Sequence, residues 1–236
     1  MTIEADVLIS VLKSTVEGPV THESIKRDVK APLSLLLKVL GKLQDEGLIY
    51  LRNGLVEADT ERRMTLAVRA VELGADLQRV SDFLKWQEFE GMAALALERN
   101  RYAAVKNVRF KYAGRKWEID VVGCRKPLVV CIDCKHWRHG MHPSALKGMV
   151  EVQADRAQAL SEALPSAAVG IECVRWERAK FVPVLLSLVS SGLKFHNKVP
   201  IVPVLQLQNF LSELPACVES VTYFARAFTH LGHDFQ

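Results

Sequence analysis

Leu128-Val129-Val130-Cys131-Ile132-Asp133-Cys134-Lys135 follows Trp117-Glu118-Ile119-Asp120-Val121-Val122-Gly123 across the turn residues Cys124 to Pro127. Both runs have strand composition and are bounded by turn formers, so they read as consecutive β-strands that each carry an acid. Side chains alternate along a strand, which puts Cys131, Asp133 and Lys135 on one face and Ile132 and Cys134 on the other. A lone carboxylate is uncommon at the end of a run as apolar as Leu128 to Ile132, because buried charges are paired or bound to metal. The plain alternative is an Asp133–Lys135 ion pair at a sheet edge with no chemistry attached.

An acid-x-Lys triplet alone is weak, since at average residue usage it arises by chance roughly once per 150 positions. Asp28-Val29-Lys30 is such an accident, at a helix end with no acidic partner upstream. Two acids on adjacent strands mean more. Mg²⁺ (or Mn²⁺) takes oxygen ligands and keeps several waters, so two carboxylates and a main-chain carbonyl suffice once substrate phosphate joins the shell. The expected ligands are Asp120, Asp133 and the Cys134 carbonyl, with Glu90 on an upstream helix holding a metal-bound water. Such a metal polarises a scissile phosphate and makes hydroxide available near neutral pH; Lys135 orients the attacking water or offsets transition-state charge.

These residues resemble the PD-(D/E)XK nuclease superfamily, and within it the archaeal Holliday-junction resolvases and Mrr-like restriction endonucleases. The resemblance runs over roughly residues 83 to 175. It is carried by Phe89-Glu90 opening a helix through Leu95 and Leu97 to Asn100-Arg101-Tyr102, by Ile119-Asp120, and by Asp133-Cys134-Lys135-His136-Trp137. The twelve residues between Asp120 and Asp133 match the family spacing. The resemblance implies a restriction-endonuclease-like α-β-β-β-α-β core with a mixed sheet. It also implies metal-dependent DNA hydrolysis leaving a 5′-phosphate, with Glu90, Asp120, Asp133 and Lys135 as catalytic residues. Asp133 stands where close relatives more often carry Glu, and Lys111 to Lys116 replaces a Gly-rich start to the Asp120 strand.

At 236 residues, with 49% hydrophobic and 25% charged residues, the chain has room for two modest domains. The apolar stretches Phe181 to Val189 and Val199 to Leu205 are too short to span a bilayer, and Met1 to Asp6 lacks a signal-peptide pattern. The expectation is a cytoplasmic protein without membrane contact. A net charge of +4 and pI near 8.8 permit a polyanionic partner without identifying one. Five cysteines, an odd count, suggest reduced thiols. Cys131-x-x-Cys134 followed by His139 and His142 has the ligand types of a structural zinc site. Cysteines on opposite faces of one strand, however, can neither close on one ion nor form a disulfide.

Residues 1–59 read as a separate module. Glu4 to Val16, Glu23 to Val29 and Leu33 to Glu46 have helical spacing, and Leu48 to Glu57 is a hairpin turning on Asn53-Gly54. Three helices and a β-wing resemble a winged helix-turn-helix domain, whose third helix enters the DNA major groove. Ser34, Lys38, Lys42 and Gln44 are the polar candidates there, with Lys30 near its start and Arg52 on the wing for phosphates. Without an Arg on that helix, strong base readout is not expected.

Residues 60–82 read as connecting helices and 83–236 as the nuclease-like domain, with no low-complexity linker between the modules. Pro143 to Leu164 is a helix on which Gln153 reads as an exposed amide, the alternative being that it assists the metal site as in some relatives of the superfamily it resembles. Ala167 to Val174, Phe181 to Val189 and Ile201 to Leu205 read as strands, before a short helix through Phe210-Leu211. Arg99, Arg101, Lys111, Arg115 and Lys116 flank the proposed cleft and are the expected phosphate contacts. Trp86, Trp117, Trp137 and Trp176 lie beside charges, where core packing with a polar handle is the commoner role.

The functional expectation is a Mg²⁺-dependent endodeoxyribonuclease acting on DNA, either junction-specific or of the Mrr restriction type. A homodimer is in keeping, since cutting both strands generally needs two sites. The alternatives are a non-catalytic winged-helix regulator on a nuclease-fold platform and a zinc-stabilised interaction protein.

Overall fold

The computed structural model describes residues 2–76, 79, 80, 82–135, 143–167, 169–187 and 192–228. Contacts divide the chain into two compact units, Met1–Met92 and Ala93–Gln236, and the division falls inside a helix.

In the first unit, Thr2 accepts from the Ala5 amide at 3.2 Å and starts α1 (Ile3–Ser14), which buries Val7, Leu8, Val11 and Leu12. A two-residue β1 (Val20–Thr21) leads into α2 (His22–Asp28), where Thr21 accepts from the Ser24 amide at 3.3 Å. Helix α3 (Leu33–Asp45) buries Leu36, Leu40 and Leu43 on one stripe and stops at Gly47, whose φ of +73° suits glycine. Strands β2 (Tyr50–Arg52) and β3 (Leu55–Glu57) turn on Asn53 and Gly54 at φ of 52° and 75°, the left-handed pair a two-residue hairpin requires. β1 closes the far edge of β3, giving the sheet order β1-β3-β2. Asp59 caps α4 (Thr60–Glu72), which packs on α1.

Arg63 of α4 is buried at 3% exposure and faces Glu88, buried at 1%, on α5 (Trp86–Arg99). Its guanidinium donates to Glu88 Oε1 and to the Leu12 and Phe83 carbonyls, each at 2.6 Å, and to Thr15 Oγ1 at 2.8 Å. Glu88 Oε2 in turn accepts the Lys85 amide at 2.7 Å, satisfying a free N–H at the start of α5.

The second unit is built on a mixed sheet. β4 (Ala103–Tyr112) and β5 (Arg115–Arg125) form a long hairpin, and β6 (Leu128–Lys135) returns antiparallel to β5. Helix α6 (Pro143–Ala163) then crosses to β7 (Arg178–Ser187), which runs parallel to β6 from Leu128↔Lys180 to Lys135↔Ser187. The far edge of β7 is shared. β10 (Phe224–Ala227) pairs with its first half and β9 (Val199–Pro203) with its second, and β8 (Phe195–His196) caps β9. Helix α7 (Leu207–Cys217) precedes β10. From α5 to β7 the order is the expected α-β-β-β-α-β, an α/β core with a mixed seven-stranded sheet among the described residues. Gly123 on β5 lies under Leu97 of α5, where a Cβ would collide with the leucine side chain; the missing side chain lets the helix approach the sheet.

The expected strand at 167–174 does not form. Gly170 turns the chain at φ of +64° and Glu172–Arg175 is a 3-10 turn. The slot beside β6 is taken by β7 itself, so the apolar side chains of this segment fill the core from a loop.

Candidate functional site

The register Val121↔Ile132 sets the geometry of the acids. Continued one step beyond that last pair, the register brings Asp120 level with Asp133, and alternation puts both on the same face as Val122 and Cys131. That face is covered by α6: Ala157 and Leu160 join Val122, Val129 and Cys131 in one core cluster.

Asp133 is buried, its side chain 2% exposed, and each carboxylate oxygen meets a cation. Lys135 Nζ is 2.7 Å from Oδ2, and Arg156 of α6 pairs with Oδ1. Asp120 Oδ2 accepts the Cys134 amide at 2.7 Å, which ties the first acid to the backbone beside the second. The cluster opens into a cleft of about 310 Å³ lined by Asp133, Lys135, Gly148, Met149, Val152 and Arg156.

Gln153 corrects its sequence reading. The amide is fully buried, and Nε2 donates to the Cys131 carbonyl at 2.7 Å. Its Oε1 is buried without a hydrogen-bond partner among the described residues. The helix face could not be assigned before the sheet beneath it was known. Among the described residues no three His, Cys, Asp or Glu side chains gather as a metal group. The oxygen donors in this region are two carboxylates on one face, main-chain carbonyls and an unpartnered buried amide oxygen. Such a set suits a hard divalent ion that keeps waters and shares substrate oxygens.

Glu90 belongs to the first unit, is buried at 6% exposure and accepts a hydrogen bond from Trp86 Nε1. Sequence reasoning chose Glu90 and passed over Glu88, two residues earlier, which forms the buried ion pair.

A second cleft, about 580 Å³, lies along the β4–β5 hairpin. It brings together Lys111, Arg115 and Lys116 and adds Arg109 and Arg156, with Glu118 the one acid in its lining among the described residues. Arg115 stacks over Trp117, 4.2 Å from the ring centroid, and Trp117 Nε1 donates to the Tyr112 carbonyl at 3.3 Å. Trp117 is therefore half-buried with a satisfied polar handle and one face under a guanidinium. Arg99 and Arg101 are exposed at the end of α5 but do not line this cleft. The signal for Arg109 was the alternation Arg109, Lys111 on β4, a strand the sequence reading had not marked. That for Arg156 was its i+3 spacing from Gln153.

On α3, Ser34, Lys38 and Gln44 are exposed, as are Lys30 before it and Arg52 on the hairpin. Lys42 is engaged instead with Glu4 at 3.0 Å, and Arg52 lies over the Tyr50 ring.

Cys131 and Cys134 are both fully buried, and burial pushes the Cys131 thiol well above its usual range. His136, Trp137, His139 and His142 lie outside the described residues. Among the described residues no helix is long and apolar enough to cross a membrane.

Fold and cluster together define a mixed α/β protein with an acid–lysine cluster on its central strands. The chain belongs to the family of an uncharacterized protein from Archaeoglobus fulgidus, with which it is 30% identical over 132 residues, 56% of this chain and 92% of that one. No protein-family model matches. Among solved structures it is similar to protein VC1899 from Vibrio cholerae, at 12% identity and a TM-score of 0.40 over 92% of this chain. It is also similar to Can2 from Sulfobacillus thermosulfidooxidans in complex with cyclic tetra-adenylate, at 12% identity and a TM-score of 0.31 over 93% of this chain. The chain spans about half the length of these two proteins, 50% and 46% respectively.

Proposed function

We propose that this protein is a metal-dependent DNA endonuclease of the PD-(D/E)XK type. The observation that carries the reading is that Asp120, held by the Cys134 amide at 2.7 Å, lies beside Asp133, with Lys135 at 2.7 Å from Asp133, where the sheet opens into a cleft. Asp120, Asp133 and the Cys134 carbonyl hold Mg²⁺ or Mn²⁺ in this reading. A metal bound there supplies a polarised phosphate and a hydroxide near neutral pH.

The chain's own residues do the rest. Lys135 projects from the same face as Asp133 and positions the attacking water or balances charge on the pentavalent phosphate. Gln153 fixes the Cys131 carbonyl, and with it the strand two residues before Asp133. Arg109, Lys111, Arg115 and Lys116 receive the phosphate backbone, and Arg156 joins their cleft to the acids. Residues 2–57, three helices and a three-stranded sheet, act as a winged helix-turn-helix module that adds affinity through Lys30, Ser34, Lys38 and Arg52.

The test is cleavage of end-labelled four-way junctions, flaps, single strands and plasmid duplex with Mg²⁺ or Mn²⁺. Cutting that requires metal and ends with a 5′-phosphate supports the reading. Tight binding without cutting on every substrate replaces it with a DNA-binding regulator on a nuclease-fold platform.

A further inference from the structure

We infer that Arg156 is shared between the two clefts: in the free protein it holds the Asp133 carboxylate, and a nucleic-acid phosphate draws it off and opens Asp133 to a divalent cation. The inference rests on reading Asp120 and Asp133 as the metal-binding pair, and adds that nucleic acid and metal bind cooperatively through one side chain.

Three observations carry it. Both oxygens of Asp133 are engaged by cations, Lys135 on Oδ2 and Arg156 on Oδ1, while the carboxylate itself is 2% exposed. With Asp120 opposite, the cluster's two acids and two bases carry no net charge. Net neutrality weakens the pull on a divalent ion, and Arg156 occupies the Asp133 oxygen that such an ion would coordinate. Lastly, Arg156 lines both the acid cleft and the basic cleft, and its side chain keeps 27% exposure at the boundary.

The chemistry of the guanidinium makes the exchange feasible. Its planar fork matches a phosphate bidentately and gives up little hydration in doing so. A phosphodiester seated by Arg109, Lys111 and Lys116 lies in the cleft that Arg156 also lines. When Arg156 turns to that phosphate, Asp133 keeps only Lys135 and the cluster gains one net negative charge, which favours a divalent ion. Coupling of this kind is reciprocal: nucleic acid tightens metal binding, and metal tightens nucleic-acid binding by the same factor. Arg156 is in this sense a positioning residue, confining the loaded site to molecules that already hold a phosphate backbone.

The test titrates Mn²⁺ and counts the free ion by electron paramagnetic resonance. It uses the full chain, with and without a short DNA duplex carrying cleavage-resistant phosphorothioate linkages. Wild type, Arg156→Gln, Arg156→Ala and Asp133→Asn are compared, each first shown by circular dichroism to melt cooperatively; two Arg156 variants guard against one that fails to fold. Wild type is expected to bind Mn²⁺ about tenfold more tightly with the duplex than without it. Either Arg156 variant is expected to bind Mn²⁺ about tenfold more tightly than wild type in the absence of DNA, and to lose most of the gain the duplex confers. Arg156 variants with wild-type affinity and wild-type gain overturn the exchange while Asp133→Asn still abolishes binding, so the metal site survives. Asp133→Asn binding Mn²⁺ like wild type overturns the metal pair, and the exchange with it.

Discussion

Replacing Glu88 by Ala leaves the Arg63 guanidinium in a pocket where its side chain is 4% exposed, with two carbonyls and a hydroxyl as partners but no counter-charge. Breaking a buried ion pair from one side costs about 3–5 kcal/mol, a large share of the roughly 5–15 kcal/mol that holds a domain together. The same substitution removes the acceptor for the Lys85 amide, a cap at the start of α5 worth about 1 kcal/mol. With a urea slope of about 2 kcal/mol per molar, the midpoint should fall by roughly 2–3 M. The assay is urea unfolding followed by far-ultraviolet circular dichroism, on wild type, Glu88→Ala, Arg63→Met and the double variant Arg63→Met/Glu88→Ala. The double variant should lose at least about 2 kcal/mol less than the two single losses combined, because it removes both charges rather than orphaning one. A Glu88→Ala midpoint within about 0.3 M of wild type, or strict additivity in the double variant, would show that the pair is not the buried anchor described.

Three further outcomes are expected. A maleimide probe at pH 8 should label one of the five thiols in the native protein: Cys217 is exposed, the other four are buried, and a hydrogen bond with Cys173 together with burial holds the Cys124 thiol far up. Rapid labelling of Cys124 or Cys131 would contradict the packing of the sheet. Lys111→Ala/Lys116→Ala should weaken DNA binding on all sequences alike and reduce the slope of log affinity against log salt by about 2, read by fluorescence anisotropy across a salt series; an unchanged slope would remove these residues from the interface. Glu4, on α1, is held below the usual carboxylate range first by its hydrogen bond from Lys42 and then by Arg69, against the opposing effect of burial. A depressed folded pKa stabilises above the unfolded value near 4.5 and is lost as pH falls through the folded one. Glu4→Gln should thus cost about 1 kcal/mol or less at pH 6, with the gap to wild type closing on acidification below pH 4.5; a gap that widens would reverse the sign of the argument.

What the sequence disclosed follows from how local each signal is. Strand β6 was legible because eight residues of β-former composition follow a turn, and alternation along them already put Asp133 and Lys135 on one face. The β2–β3 hairpin was legible because Asn-Gly takes a backbone few other dipeptides tolerate. Gln153 and Arg156 were not placed, since a helix spacing fixes relative faces but not which strand lies beneath them. Residues 167–174 misled for a related reason: their composition suits a strand, but Gly170 turns the chain and β7 occupies the neighbouring edge. Glu88 and Glu90 occupy one short stretch of helix, and only the position of Arg63, far away in sequence, singles out Glu88 as its ion-pair partner.

The most direct test of the central claim is metal-dependent cleavage by wild type beside Asp133→Ala and Lys135→Ala, on end-labelled junction and plasmid DNA, with binding measured on the same samples. The account predicts cutting by wild type with Mg²⁺ or Mn²⁺ and a loss of at least about a thousandfold in both variants, while DNA affinity measured without metal stays within a few fold. Cleavage that persists in Asp133→Ala, or a wild type that binds every substrate and cuts none, would contradict it.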